Sequence, residues 1–253
     1  MSVHKKVIKI ESQCLRQTVT IGVVVPDKID KVMILLHGYG GSFAELDENL
    51  PLLEYAEDSR VLIATPNMDN GYYIDHDFYC VSDFIIKELL DTLFTTYNLQ
   101  IATGLYIAGI SMGGFGSLLI GSKYPNVFKK IISISGAFIA KDVAIGNPEV
   151  VGAPGNKETF EYFNKTFAPF DMLEDSIERN AVAAIVWCSE NYNLPEIILT
   201  CGSKDPLYER NLTAIRKFDS KGIEYDWCPL DGGVHDYSCF DEGLKYVFKM
   251  IRG

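Results

Sequence analysis

The sequence predicts an α/β fold: a doubly wound, mostly parallel β-sheet with an antiparallel N-terminal edge. Three observations point there. Continuous apolar runs of four or five residues recur along the chain, helical patterns fall between them, and 253 residues with 47% hydrophobic content can bury most of their unfolded surface around one core. A parallel strand covered on both faces needs an unbroken apolar run, and joining two such strands needs a crossover, usually a helix.

The first two segments alternate instead of running. Val7 to Ile10 and Thr18 to Val25, the second closed by Pro26-Asp27, read as an antiparallel pair at the sheet edge. Apolar runs follow at Val32 to Leu36, Val61 to Ala64, Leu105 to Ala108, Ile131 to Ile134 and Ile197 to Thr200. Helical patterns cover Tyr79 to Tyr97, Phe115 to Lys123, Glu209 to Lys221 and Asp241 to Ile251. The stretch from Ala137 to Asn193 breaks this rhythm. There Gly146, Pro148, Gly152, Pro154 and Gly155 precede short helical patterns at Lys157 to Phe163 and Ser176 to Arg179. An insertion between two strands of a regular sheet is often a cap over a site, and a plain surface excursion is the alternative. The expected organisation is a single domain, 1–253, with a cap-like insertion at about 137–193.

Composition excludes several function classes. A formal net charge of −11 with no Lys/Arg stripe disfavours nucleic acid, because phosphate repulsion would go uncompensated. No segment approaches the ~20 consecutive apolar residues of a membrane span. The N-terminus lacks the apolar core of a signal peptide. Six cysteines are scattered without C-x-x-C spacing, which suits reduced thiols better than disulfides or zinc ligands. The expectation is a cytoplasmic protein; a homo-oligomer is compatible with the sequence.

Gly109-Ile110-Ser111-Met112-Gly113 lies between the Leu105 to Ala108 run and the helical pattern that follows. A serine on a tight strand-to-helix turn has its hydroxyl pushed out of the sheet, and the flanking glycines let the chain turn without a Cβ clash. The string alone is weak; its context is strong. A serine hydroxyl becomes a good nucleophile when an imidazole takes its proton, and that imidazole needs a carboxylate to fix its tautomer. Among four histidines, only His235 sits in a loop before the last helix, downstream of every apolar run. The acid candidate is Asp205, just past the Ile197 to Thr200 run, where strand ends deliver groups to one sheet edge. Asp231 is a lower-ranked alternative, and Asp205 could instead cap the helix starting near Leu207. The chain order Ser111, Asp205, His235 is the one α/β-hydrolases use.

Negative charge on a tetrahedral intermediate calls for preorganised N–H donors. One is the backbone N–H of Met112, at the positive end of its helix. The other should come from His37-Gly38-Tyr39-Gly40-Gly41, with Tyr39 first and Gly40 in reserve. The stretch Asn70 to Asp77 follows the Val61 to Ala64 run and should reach the same edge, offering Tyr72, Tyr73 and His76, beside Gly40 of the preceding loop, as possible substrate contacts. Asp75-His76-Asp77 invites a metal reading, but adjacent side chains point apart and no partner cluster is evident, so neither a metal nor an organic cofactor is expected.

With these residues in place, the chain resembles the esterase D / tributyrin-esterase group of the α/β-hydrolases, which includes cinnamoyl (feruloyl) esterases and S-formylglutathione hydrolases. The similar stretches are Leu35 to Gly41, Pro66 to Tyr73, Ala108 to Gly116, Cys201 to Asp205 and Gly233 to Tyr237, and the block Ile110 to Gly116 is the most specific. The resemblance implies Ser111 as nucleophile, Asp205 and His235 as its partners, and the Tyr39 and Met112 amides as the oxyanion hole. It implies a carboxylesterase acting on small-molecule esters of short-chain or aromatic acyl groups through an acyl-enzyme. A thioesterase of the S-formylglutathione type, and a non-catalytic binding protein on the same fold, are the alternatives. Family members often carry Trp after the histidine-acid pair, where this chain has Tyr237, Cys239 and Phe240, and the insertion matches poorly.

Overall fold

The structure, a computed structural model, describes residues 3–100, 104–144, 157–169 and 173–252. Eight strands form one sheet in the order β1-β2-β4-β3-β5-β6-β7-β8. The antiparallel edge is β1 (His4–Ser12) and β2 (Gln17–Val25). β2 also pairs antiparallel with β4 (Val61–Pro66), and all remaining pairings are parallel. The central strands are β3 (Lys31–Leu36), β4, β5 (Gly104–Ile110), β6 (Lys130–Ile134) and β7 (Glu196–Gly202), each grown from one of the expected apolar runs. β8 (Asp226–Leu230) closes the sheet and was not anticipated. As an edge strand it needs no apolar run, and it carries Pro229, which an edge tolerates.

Alternation along β3 shows why both faces are dry. Val32, Ile34 and Leu36 join one apolar cluster, and Met33 and Leu35 join the other. The first face is covered by the helical run α3 (Val81–Asp83), a π segment (Phe84–Leu89) and α4 (Leu90–Tyr97), then by α5 (Met112–Lys123), and by α8 (Ala181–Asn191) and α9 (Tyr208–Ser220). The second is covered by α1 (Phe43–Asn49), α2 (Leu52–Ser59) and α10 (Tyr237–Arg252). Helices on both faces of a mostly parallel sheet are the doubly wound arrangement.

The stretch expected as an insertion contributes α6 (Ala140–Ala144), α7 (Lys157–Phe167), a 3-10 turn (Leu173–Asp175) and α8. Ser176 to Arg179 is not helical: it is a turn ending at Asn180, whose side chain accepts from Val182 N and Ala183 N and starts α8 five residues later than the pattern suggested. Gly146, Pro148, Gly152, Pro154, Gly155 and Phe170 lie outside the described residues, as does the side chain of Phe160. Among the described residues no helix is long and apolar enough to cross a membrane.

Candidate active site

The carboxyl ends of β3, β5 and β7 and the loop after β8 converge on one edge of the sheet. Ser111 sits between β5 and α5 with φ 57° and ψ −114°, a backbone region that L residues rarely occupy. Neighbours force that turn. A Cβ at Gly109 would lie 2.0 Å from Gly113 O, and one at Gly113 would lie 2.1 Å from Leu36 O. The strand, the turn and the helix therefore touch backbone to backbone, which only glycine allows. The strained residue is held by its own hydrogen bonds: Ser111 N donates to Ile134 O at 2.9 Å, and Ser111 O accepts from Ala137 N at 3.0 Å.

His235 Nε2 lies 3.0 Å from Ser111 Oγ, and His235 Nδ1 lies 2.7 Å from Asp205 Oδ2. A carboxylate only accepts, so Nδ1 carries the hydrogen and Nε2 is left to accept the serine proton. The Asp205 side chain is fully buried and that of His235 is 30% exposed. The capping reading of Asp205 holds as well, because its Oδ1 accepts from Leu207 N at 2.7 Å at the start of α9. One carboxylate thus aims the imidazole with one oxygen and is itself aimed by the helix with the other. His235 is further packed edge-on against Phe240, ring centroids 5.0 Å apart. Asp231 is exposed in the preceding turn and is not the partner of His235.

The loop after β3 is stitched to the loop after β4. His37 is buried, its Nε2 accepting from Met68 N at 2.9 Å and its Nδ1 donating to Gly38 O at 2.8 Å. Burial pushes its pKa below the usual imidazole value, which keeps the ring neutral in that tautomer. Asn67 Oδ1 accepts from Phe43 N, Asn70 Oδ1 accepts from Gly40 N at 2.6 Å, and the Tyr73 hydroxyl donates to His37 O at 3.0 Å. Gly41 N is taken by Gly38 O at 3.0 Å. Of the successive amides of Tyr39, Gly40 and Gly41, that of Tyr39 is left without a hydrogen-bond acceptor among the described residues. Met112 occupies the first position of α5, where an N–H has no partner within its helix.

A cavity of about 310 Å3 opens over Ser111. α1 and α10 line it with Glu45, Leu46, Tyr237 and Phe240, and other elements line it with Gly38, Tyr39, Gly41, Tyr72, Ala137, Phe163 and Leu207. Phe163 comes from α7, so the inserted stretch supplies a wall of the cavity. It meets Tyr39 and Tyr72 edge-on, with centroids 5.4 and 5.5 Å away.

Of the expected substrate contacts, only Tyr72 lines this cavity. Tyr73 is buried beneath it, tied to His37 O, and its ring borders a separate cavity of about 480 Å3 beside α5 and α8. Gly40 turns its amide to Asn70 and does not line the cavity. His76 is exposed in a tight turn paired with Tyr79 and points elsewhere. The neighbouring Asp75 is engaged by Ser82 and Lys123, and among the described residues no three His, Cys, Asp or Glu side chains are grouped to hold a metal ion. Sequence reasoning missed Glu45, Asn67 and Asn70. The asparagines lie in a stretch already marked by resemblance, but nothing in their spacing announced which amides they hold.

The chain is similar to known esterases in sequence and in fold. Over 266 aligned residues the chain is 24% identical to an acetyl esterase of Caldicellulosiruptor saccharolyticus, covering 96% of each protein. An S-formylglutathione hydrolase of Staphylococcus aureus superposes with TM-score 0.85 at 20% identity over all of both chains. A ferulic acid esterase superposes with TM-score 0.75 at 18% identity, over 100% of this chain and 99% of its own. Both structures share the α/β-hydrolase fold seen here. Residues 28–246 match the family model described as Putative esterase, and the chain belongs to that esterase family.

Proposed function

We propose that this esterase is a serine carboxylesterase in which Ser111, His235 and Asp205 form the catalytic triad. The observation that carries the reading is the unbroken chain from Ser111 Oγ through both ring nitrogens to a buried carboxylate, at 3.0 and 2.7 Å. Ser111 Oγ attacks the ester carbonyl while His235 Nε2 takes its proton, and Asp205 stabilises the imidazolium that results. The carbonyl oxygen becomes an oxyanion facing the amides of Tyr39 and Met112, whose donors are preorganised and cost no reorganisation. His235 then returns the proton to the leaving alcohol, giving an acyl-Ser111 ester. Water, deprotonated by the same imidazole, releases the acid.

The inserted stretch acts as a cap in this reading. Tyr72, Phe163, Ala137 and Leu207 would hold the acyl group against a short apolar wall, which suits acetyl to butyryl or a small planar aromatic acid, whereas a long fatty chain needs an extended groove. Six free thiols fit a reducing, cytoplasmic setting. The test is p-nitrophenyl acetate hydrolysis by the native protein and by Ser111→Ala. We expect a burst of p-nitrophenol followed by steady turnover, and a loss of at least about 10⁴-fold in the folded alanine variant. Native-like turnover by Ser111→Ala would overturn the assignment.

A further inference from the structure

The part of the cavity that a leaving group must enter carries a charge the reaction does not use. The leaving atom takes its proton from His235 Nε2, so it departs beside the residues packed around that ring. Phe240 packs against His235 at 5.0 Å and Tyr237 against Phe240 at 5.6 Å, and Glu45 and Leu46 of α1 line the same cavity. Glu45 is held in the first turn of α1, its N–H donating to the N-cap Ser42, and its Oε2 lies against the turn at Gly41, 3.2 Å from where a Cβ there would be. Burial raises the pKa of the Tyr237 phenol, and the nearby Glu45 carboxylate raises it further. The carboxylate therefore sits within reach of both the oxyanion turn and the leaving-group aromatics. The residues lining the cavity include no Lys or Arg.

Resting on the triad reading above, we propose that Glu45 makes this enzyme selective for esters whose alcohol portion is neutral or cationic, and selects against anionic alcohols and thiols. Two effects act in the same direction. An anion in the cleft meets a carboxylate that no lining Lys or Arg offsets, and a cation meets that carboxylate together with the rings of Tyr39, Tyr237 and Phe240. A thiol bearing free carboxylates, as in a peptide thioester, is a poor fit to this half of the cavity.

Three acetyl esters of nearly equal size separate charge from shape: acetylcholine, its neutral isostere 3,3-dimethylbutyl acetate, and the anionic 3-acetoxypropanesulfonate. In the native enzyme kcat/KM should fall in the order cationic, neutral, anionic. In Glu45→Gln the ratio of cationic to anionic kcat/KM should drop about 25-fold, about fivefold from each of the two charge interactions lost in a wet cleft. Glu224→Gln removes the same net charge at a distant exposed position and should leave the ratio as it is. The native ratio should also shrink between 0.01 and 1 M salt, more than it does in Glu45→Gln, as screening shortens the reach of the carboxylate from about 30 to about 3 Å. A ratio unchanged in Glu45→Gln, with all three esters still hydrolysed, overturns the role of Glu45 and leaves the triad standing. Failure of the folded native protein to hydrolyse any acetyl ester, p-nitrophenyl acetate included, overturns the triad reading and this proposal together.

Discussion

The floor of the cavity and its wall are built by different physics. At the floor, β5, the Ser111 turn and α5 meet backbone to backbone, with Gly109 and Gly113 at distances where any Cβ would overlap a carbonyl. Asp205 and His235 are fixed there by directed hydrogen bonds at 2.7 and 3.0 Å. The wall is a set of rings, Tyr39, Tyr72 and Phe163, that touch edge-on with centroids 5.4 and 5.5 Å apart, with Phe167 tilted against Tyr72 at 5.0 Å. Such contacts ask for a ring of the right size and tolerate others at a cost near 1 kcal/mol. In the proposed reading, chemistry resides where residue identity is dictated and substrate choice where it is only bounded.

Three substitutions, with Asp231→Asn as a control, probe that contrast in descending order of effect. Asp205→Asn keeps the cap on Leu207 N, since an amide oxygen can still accept, but presents the wrong tautomer of His235. We expect kcat to fall by up to about 10⁴-fold with little change in melting temperature. Asp231→Asn, in the exposed turn, should stay near native activity, and the reverse pattern would show that the wrong carboxylate had been assigned to the floor.

At the wall, effects should be smaller and should change selectivity more than rate. The native enzyme should favour acetyl to butyryl over palmitoyl esters by at least about tenfold in kcat/KM, or roughly 1.4 kcal/mol, under matched detergent. Phe163→Leu should narrow that preference about threefold while retaining hydrolysis of acetyl esters. An optimum at long chains in the native protein would mean that the wall is open along a groove, contrary to the short cavity described here.

The smallest effect concerns the hinge between the two regions. His37 is buried and its pKa is lowered by that burial. The unfolded chain takes up a proton on this residue near pH 6.5, whereas the folded chain does so only at lower pH. Between those values the unfolded state holds more protons, so stability is complete above about pH 6.5 and declines as pH falls toward the lowered value, by up to about 1.4 kcal/mol per pH unit. His37→Gln, which can still accept from Met68 N and donate to Gly38 O, should show a smaller drop in melting temperature between pH 7.5 and 5.5 than the native protein. An equal drop would place the acid sensitivity elsewhere.

The same contrast explains what could be read from the sequence. The buried strands were legible because a strand dry on both faces must be apolar at every position, as Val32 to Leu36 is. β8 escaped because an edge strand with Pro229 and four partly or fully exposed positions carries no such run. α1 and α2 were not singled out, and the turn at Ser176 to Arg179 was taken for helix because four residues cannot distinguish a turn from a helical start. The meeting of Ser111, Asp205 and His235 was legible because the turn needs glycine at 109 and 113 and because strand ends and the loop before the last helix reach one sheet edge. Asn67, Asn70 and Glu45 were not. An amide that receives a backbone N–H, or a carboxylate at the rim of a cleft, looks in sequence like any solvated polar residue, and only the three-dimensional meeting of the loops after β3 and β4 reveals it.

The central claim, that Ser111 is an activated nucleophile and not merely a strained turn residue, is tested most directly by covalent labelling. An alkyl fluorophosphonate should add once to the folded native protein, with peptide mass mapping placing the adduct on Ser111, much more slowly on Asp205→Asn, and not at all on Ser111→Ala. Labelling of Ser111→Ala at the native rate, or an adduct mapped to another residue, would contradict it.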